Sequence, residues 1–363
     1  MRAYSMSRLN DPGKGSHTWV AGRKRDHTLG IYPKDFQFLE SVFKKRGEIL
    51  GKGSERGYRQ IYGFYSASFL TTAVTKSALA NAERAIKTYG QFARKLKVKA
   101  TLQLSIDHQK NLGLKDWPVL DDFEDYLLAQ ETRALAGPMF IYGFIHFRKS
   151  NDAATHRVYL NVHPEHVPAV LEYLLTRLYH PANGVAGVRN IKCASIGIDR
   201  TDTIVIFHDG SGDTRGNIMS HIGKYQGKNG RLNAAHFRLL RPPLTKSVNT
   251  LIGVSEALEP QQVSYLDVGS GEFNAEGSQE QQSFGKFNAE VIYTALKTAG
   301  DDEAVFVTLV KERLAAVKMP MPRAVGIFIG DNDTSMIQVE RIQFVVGGPP
   351  KTSFLDGVVD PFG

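Results

Sequence analysis

The residues of this chain best equipped for chemistry are its cations. Between Thr214 and Ser255 there is no Asp or Glu, yet the stretch carries Arg215, Lys224, Lys228, Arg231, Arg238, Arg241 and Lys246, with His221 and His236 among them. Arg157, Lys192 and Arg200 stand at the ends of neighbouring predicted strands. Arginine suits phosphate because its planar fork donates paired hydrogen bonds, and lysine adds a compact point charge. Positive potential gathered in a region that is otherwise net acidic points to a phosphorylated or acidic ligand. A solvated face with scattered ion pairs would use the same residue types, and both readings stand at this point.

Other chemistries find little support. There is no phosphate loop of the G-x-x-x-x-G-K-[ST] kind, no G-x-S-x-G elbow and no H-E-x-x-H. The single cysteine, Cys193, lies in an apolar run, which excludes a disulfide framework and reads as a buried structural thiol. The eleven histidines never fall at metal spacing with a carboxylate partner, so no metal and no cofactor are expected. His163 and His166 suit positions at a helix start. Residues 1–100 hold 20 Lys/Arg against 7 Asp/Glu, whereas the remainder holds 25 against 30. A basic front can meet nucleic acid, but Tyr58, Tyr62, Tyr65 and Tyr89 fall on an apolar stripe and no nucleic-acid motif is legible. No window offers the roughly 18 apolar residues of a membrane helix, and the first 22 residues lack the apolar core of a secretory signal. A polar, serine-containing leader is compatible with type III export.

Positioning such residues falls to the elements. With 363 residues and 42% apolar content the chain can bury a sizeable core. Residues 1–33 show no periodicity and read as a flexible leader. Phe36, Leu39, Val42 and Phe43 recur at helical spacing after Pro33, and Gly51 and Gly53 interrupt the pattern. Residues 58–96 predict two helices, and residues 121–135 another. Val98 to Ile106 alternates as a strand. Beyond Gly137-Pro138, strands are predicted at 139–147, 157–162, 191–198 and 203–207, with helices at about 163–179 and 215–226. Residues 260–282, rich in Gln, Gly and Ser, read as a mobile loop. Helices follow at 283–298 and 301–318, then strands at 325–329 and 337–346. The fold class is α+β, a mostly antiparallel central sheet covered by helices, with a helical N-terminal region. The domains are a leader (1–33), the helical region (34–136), an α+β core (137–318) and a C-terminal extension (319–363).

Five blocks occur in the order and spacing of a known family. They are Arg157-Val158-Tyr159-Leu160-Asn161-Val162 before a helix, Lys192 within Ile191-Lys192-Cys193, Asp199-Arg200-Thr201-Asp202-Thr203, Pro243-Leu244-Thr245 ten residues before Ser255, and Ser283-Phe284-Gly285 opening a helix. Together they resemble the HopA-type bacterial type III effectors, over about half of the chain. One departure is plain: Asn288 stands where the family's S-F-G-x-x-R motif has Arg, with Lys286 nearby.

The resemblance implies delivery into a host cell and kinship with the phosphoserine and phosphothreonine lyase-like domains of lanthipeptide pathways. Such a lyase needs a base for the α-proton, cations for the departing phosphate and an acid. Lys192 is then the candidate base and His146 or His236 the acid. Arg157, Arg200, Arg241 and Lys286 are the candidate phosphate ligands. Asp202, Thr245 and Ser283 are structural neighbours of the site. The implied partners are a phosphorylated peptide or protein and a secretion chaperone. The protein would be made in a bacterial cytoplasm and secreted into the host. The alternative is a non-catalytic effector holding a phosphorylated or acidic partner through the same cations.

Overall fold

A computed structural model of the chain describes residues 33–67, 88–103, 144–194, 201–227, 233–248, 250–260, 263–267, 270–279, 283–317 and 319. The leader, the helix predicted at 121–135 and the strands predicted at 325–329 and 337–346 lie outside them, as does Arg200. The fold is α+β with a helical N-terminal region. Two units partition the chain: Met1–Ser68, Pro243–Asn249 and Pro260–Gly363 form one, and Phe69–Pro242 with Thr250–Glu259 the other.

The first unit is mainly helical. Helices α1 (Pro33–Lys44), α2 (Arg46–Gly51) and α3 (Gly53–Ala67) open it. The break falls where the glycines predict it, with Gly53 at φ 76° beginning α3. Helices α6 (Phe284–Ala299) and α7 (Glu303–Ala316) complete the helical set. α3 and α6 lie close because glycines face tyrosines. A Cβ at Gly57 would come within 2.4 Å of the Tyr293 ring, and one at Gly285 within 2.7 Å of Tyr62. The stretch expected to be a mobile loop instead contains two paired strands, Val263–Leu266 and Phe273–Gln279, in antiparallel register. Its composition disguised them: Ser264, Gly277 and Ser278 lie within the strands, and in the connecting turn Asp267 accepts from Ser270 while Gly271 takes φ 71°.

The second unit holds β1 (Lys99–Gln103), β2 (Phe144–Arg148), β3 (His156–Leu160), β4 (Val188–Ala194), β5 (Ile204–His208) and β7 (Val254–Leu258), with the two-residue β6 (Lys246–Ser247) belonging to the first. Their order is β1-β2-β4-β5-β3-β7, and every pairing among these six is antiparallel. Side chains alternate between faces. One face carries Phe147, Ile191, Ile206 and Val158, then Ile145, Cys193, Ile204 and Leu160, all fully buried. Helix α4 (Val167–Leu178) packs on β4 and against α5 (Gly212–Gln226), burying Val167, Val170, Leu171, Leu174, Leu175 and Leu178 at helical spacing. α5 begins three residues before the predicted start because Ser211 caps it, accepting from the Thr214 amide, and it stops at Gly227 in the left-handed region.

At the end of β5, His208 pairs across the ladder with His156, their rings 5.5 Å apart. Burial first, and His156 second, push its pKa down to about 4. Unfolded, His208 would bind a proton near its ordinary pKa of about 6.5, so its contribution to stability is complete above that value and fades as pH falls towards 4. Urea unfolding of wild type should lose on the order of 1–2 kcal/mol across that window, and His208→Gln should flatten the slope.

Candidate functional site

Opposite the apolar face, the sheet register builds two polar rows. Thr101, His146, Lys192, Val205, Tyr159 and Ser255 are successive partners across β1, β2, β4, β5, β3 and β7. Two residues along, Lys99, Arg148, Asn190, Phe207, Arg157 and Ala257 form the second row. Four cations and a histidine thus share one face of a sheet whose strands are about 4.8 Å apart.

His146 and Lys192 are direct partners in the ladder. The Lys192 amine lies 3.6 Å from the centre of the Phe144 ring, a close cation–π contact. His146 is buried, and its Nδ1 meets the Asn190 side-chain amide at 2.8 Å. Burial, then the charges of Lys192, Arg148 and Arg157, hold its pKa well below the usual histidine range. His146 is therefore neutral at physiological pH in the free protein, and it can act as a protonated acid only if an anion first offsets those charges.

Arg157 lies on this face two strands from Lys192. Its Nε and Nη2 donate to the two carboxylate oxygens of Glu259, its Nη1 reaches the Tyr159 hydroxyl at 3.4 Å, and its guanidinium stacks 4.8 Å from the Phe207 ring. Burial pushes the Tyr159 phenol up to about 12. Asp202, in the buried turn before β5, is close enough to act on the same phenol. Next to it, the Thr203 hydroxyl donates to the Leu160 carbonyl and accepts from the Val162 amide, fixing the end of β3.

The remaining predicted residues are placed elsewhere. His236 ends a short 3-10 turn (Ala234–His236), its ring stacked on His166 at 3.8 Å and its Nδ1 3.1 Å from the Tyr225 hydroxyl. Its company is His163, His166 and Tyr225, a separate imidazole cluster beside the start of α4. Arg241 donates to the Pro242 carbonyl at 3.2 Å. Lys286, Thr245 and Ser283 belong to the first unit. There Ser283 caps α6 by accepting from the Lys286 amide, and the Lys286 amine lies 3.7 Å from the buried carboxylate of Glu290. Thr245 is fully buried beside Leu244, whose positive φ of 62° is held by its amide donating to Asp35. Asn288, at the family's Arg position, is buried and donates within its own helix to the Phe284 carbonyl.

Sequence reasoning passed over Arg148, Asn190, Tyr159 and Glu259. The first three were within reach of period-two alternation: each lies two residues from a named candidate and so on its face. Glu259 follows the last strand, and no local pattern marks it. Among the described residues no three His, Cys, Asp or Glu side chains are arranged to hold a metal ion, and no helix is long and apolar enough to cross a membrane.

No family profile and no curated protein matches the sequence. Solved structures similar to this chain include two effector proteins. One is the effector protein from Pseudomonas syringae pv. tomato strain DC3000, at 17% identity over 79% of this chain and 99% of that one, with a TM-score of 0.48. The other is the effector protein from Pseudomonas syringae pv. syringae strain 61, at 17% identity over 80% and 97%, with a TM-score of 0.46.

The Arg157–Glu259 pair admits a direct check. Removing one member of a buried pair strands the other charge. Arg157→Met should lower stability by about 3 kcal/mol in urea unfolding, and adding Glu259→Leu should recover much of that loss.

Proposed function

We propose that this chain is a HopA-like effector whose polar sheet face eliminates phosphate from phosphoserine or phosphothreonine in a peptide or protein. The observation that carries this reading is the ladder pair of Lys192 and His146, a candidate base and a neutral imidazole side by side on a face that also bears Arg148 and Arg157. In the reaction Lys192, as the neutral amine left once its ammonium has lost a proton to solvent, takes the α-proton, the electron pair forms the Cα–Cβ double bond, and the Cβ–O bond breaks with its pair leaving on phosphate. The cations of the face stabilise charge where it gathers, on the phosphate oxygens.

His146 has a part that depends on the ligand. The free site holds it neutral through burial and surrounding positive charge. A phosphate dianion offsets that charge, so its pKa rises on binding and the imidazole becomes able to donate a proton to the leaving group. The resemblance described above is the support for the effector role and for a phosphorylated protein as substrate.

Mass spectrometry of a phosphothreonine peptide incubated with the protein decides the chemistry. Elimination removes phosphoric acid and leaves an unsaturated residue, whereas hydrolysis restores the hydroxyl. Lys192→Met should slow elimination by roughly 10²–10⁴-fold while the fold is kept. Phosphate dianion should bind with net proton uptake above pH 7, where the free ligand is already a dianion, and His146→Gln should reduce that uptake. A peptide that binds and is recovered intact would instead identify a non-catalytic binder of phosphorylated partners.

A further inference from the structure

Asn190 meets His146 on the diagonal of the ladder: its direct partner is Arg148, and His146 stands two residues before Arg148 on the same strand. The contact is one hydrogen bond, 2.8 Å from the Asn190 side-chain nitrogen Nδ2 to His146 Nδ1. An amide nitrogen only donates, so Nδ1 accepts and carries no proton. A neutral imidazole has a single N–H, which must then be on Nε2.

The same contact decides how the ring can gain charge. With Nε2 already protonated, a second proton can go only to Nδ1. That nitrogen faces the N–H groups of the amide, and two donors cannot share one hydrogen bond. The other end of the amide resolves the conflict. Asn190 Oδ1 is buried and accepts no hydrogen bond among the described residues. A half-turn about the Cβ–Cγ bond would exchange the two ends and set Oδ1 against Nδ1–H. The amide would give up a neutral bond for a charge-assisted one, which is roughly twice as strong. Charges press against the second proton from several strands: Lys192 on β4, Arg148 on β2 itself and Arg157 on β3. Thr101 on β1 is the uncharged ladder partner on the remaining side. A carboxylate at position 190 would hold the ring protonated at rest, whereas an amide can serve both states.

We propose that Asn190 is a positioning residue for His146: it fixes the neutral ring with its proton on Nε2, and it turns to offer Oδ1 when Nδ1 gains a proton. The use of that turn in catalysis rests on the lyase reading, while the tautomer can be measured without it. The experiment is nitrogen-15 NMR of the full chain with labelled histidine, the His146 signals being those lost in His146→Gln. At about pH 8 the wild type should show a bare Nδ1 and a protonated Nε2. Asn190→Ala should lower the titration midpoint of the ring, because the charged form loses the stronger bond. Asn190→Asp should move the neutral ring's proton to Nδ1 and raise the midpoint by at least about one pH unit. Thermal melting checks that both variants are folded. A wild type carrying its proton on Nδ1 overturns the proposal, as does a tautomer unchanged in Asn190→Asp. A midpoint that fails to fall in Asn190→Ala overturns the turn, since a mere donor to the neutral ring would raise it on removal. In elimination from a phosphothreonine peptide, Asn190→Asp should carry the fall of kcat with rising pH upward by a similar interval. A changed tautomer with an unmoved rate profile overturns the catalytic use. A wild type that eliminates nothing removes the lyase reading, and the ring spectra still decide the role of Asn190.

Discussion

The arrangement of the second unit depends on one constraint, the two-residue alternation of an antiparallel sheet held in register. Once Phe147, Ile191, Ile206 and Val158 are committed to the apolar face, their neighbours must face the other way. That geometry places Arg148, Lys192 and Arg157 on the face of His146 although they come from three different strands. A slip of one residue would bury the charges and expose the core. Such a slip is costly, so the hydrophobic pattern fixes which face the cations take.

Like charges on one face repel, and the structure shows how the repulsion is offset. Glu259 takes the paired donors of Arg157, and Phe207 covers the guanidinium. Phe144 lies beneath the lysine amine. His146 gives up its charge, with Asn190 holding the neutral ring. Three different devices act here: an ion pair, aromatic faces and deprotonation.

Much of this was legible in the sequence, for identifiable reasons. β3, β5 and α4 follow from clean periods of two and 3.6, and their edges moved by only a few residues. The starts of α5 and α6 hinge on single capping serines, Ser211 and Ser283. The paired strands at 263–279 were hidden because Gln, Ser and Gly carry little strand signal, although the backbone pairs regardless. For the candidate site, Lys192 and His146 were named through the family resemblance and not from a local pattern. Their being cross-strand partners could not be read from the chain, since register follows from pairing across intervening sequence. Arg157 was legible as a cation but not as one held by Glu259, 102 residues away. Asp35 holding the strained Leu244 amide across 209 residues was equally out of reach.

The neutral state of His146 bears on why such a site would answer to phosphate and not to any acidic side chain. A single carboxylate offsets one unit of charge, and Glu259 already supplies one at the edge of the face. Burial first, and the charges of Lys192, Arg148 and Arg157 after it, hold the imidazole below its usual range. A phosphomonoester carries close to two negative charges near neutral pH on three acceptor oxygens. It can offset more than one cation at once, and its oxygens can meet donors that stand on different strands. The charge that makes the free site costly is thus the charge a dianion can use. On the proposed reading, a dianion bound beside His146 would favour the protonated imidazole that the free site disfavours.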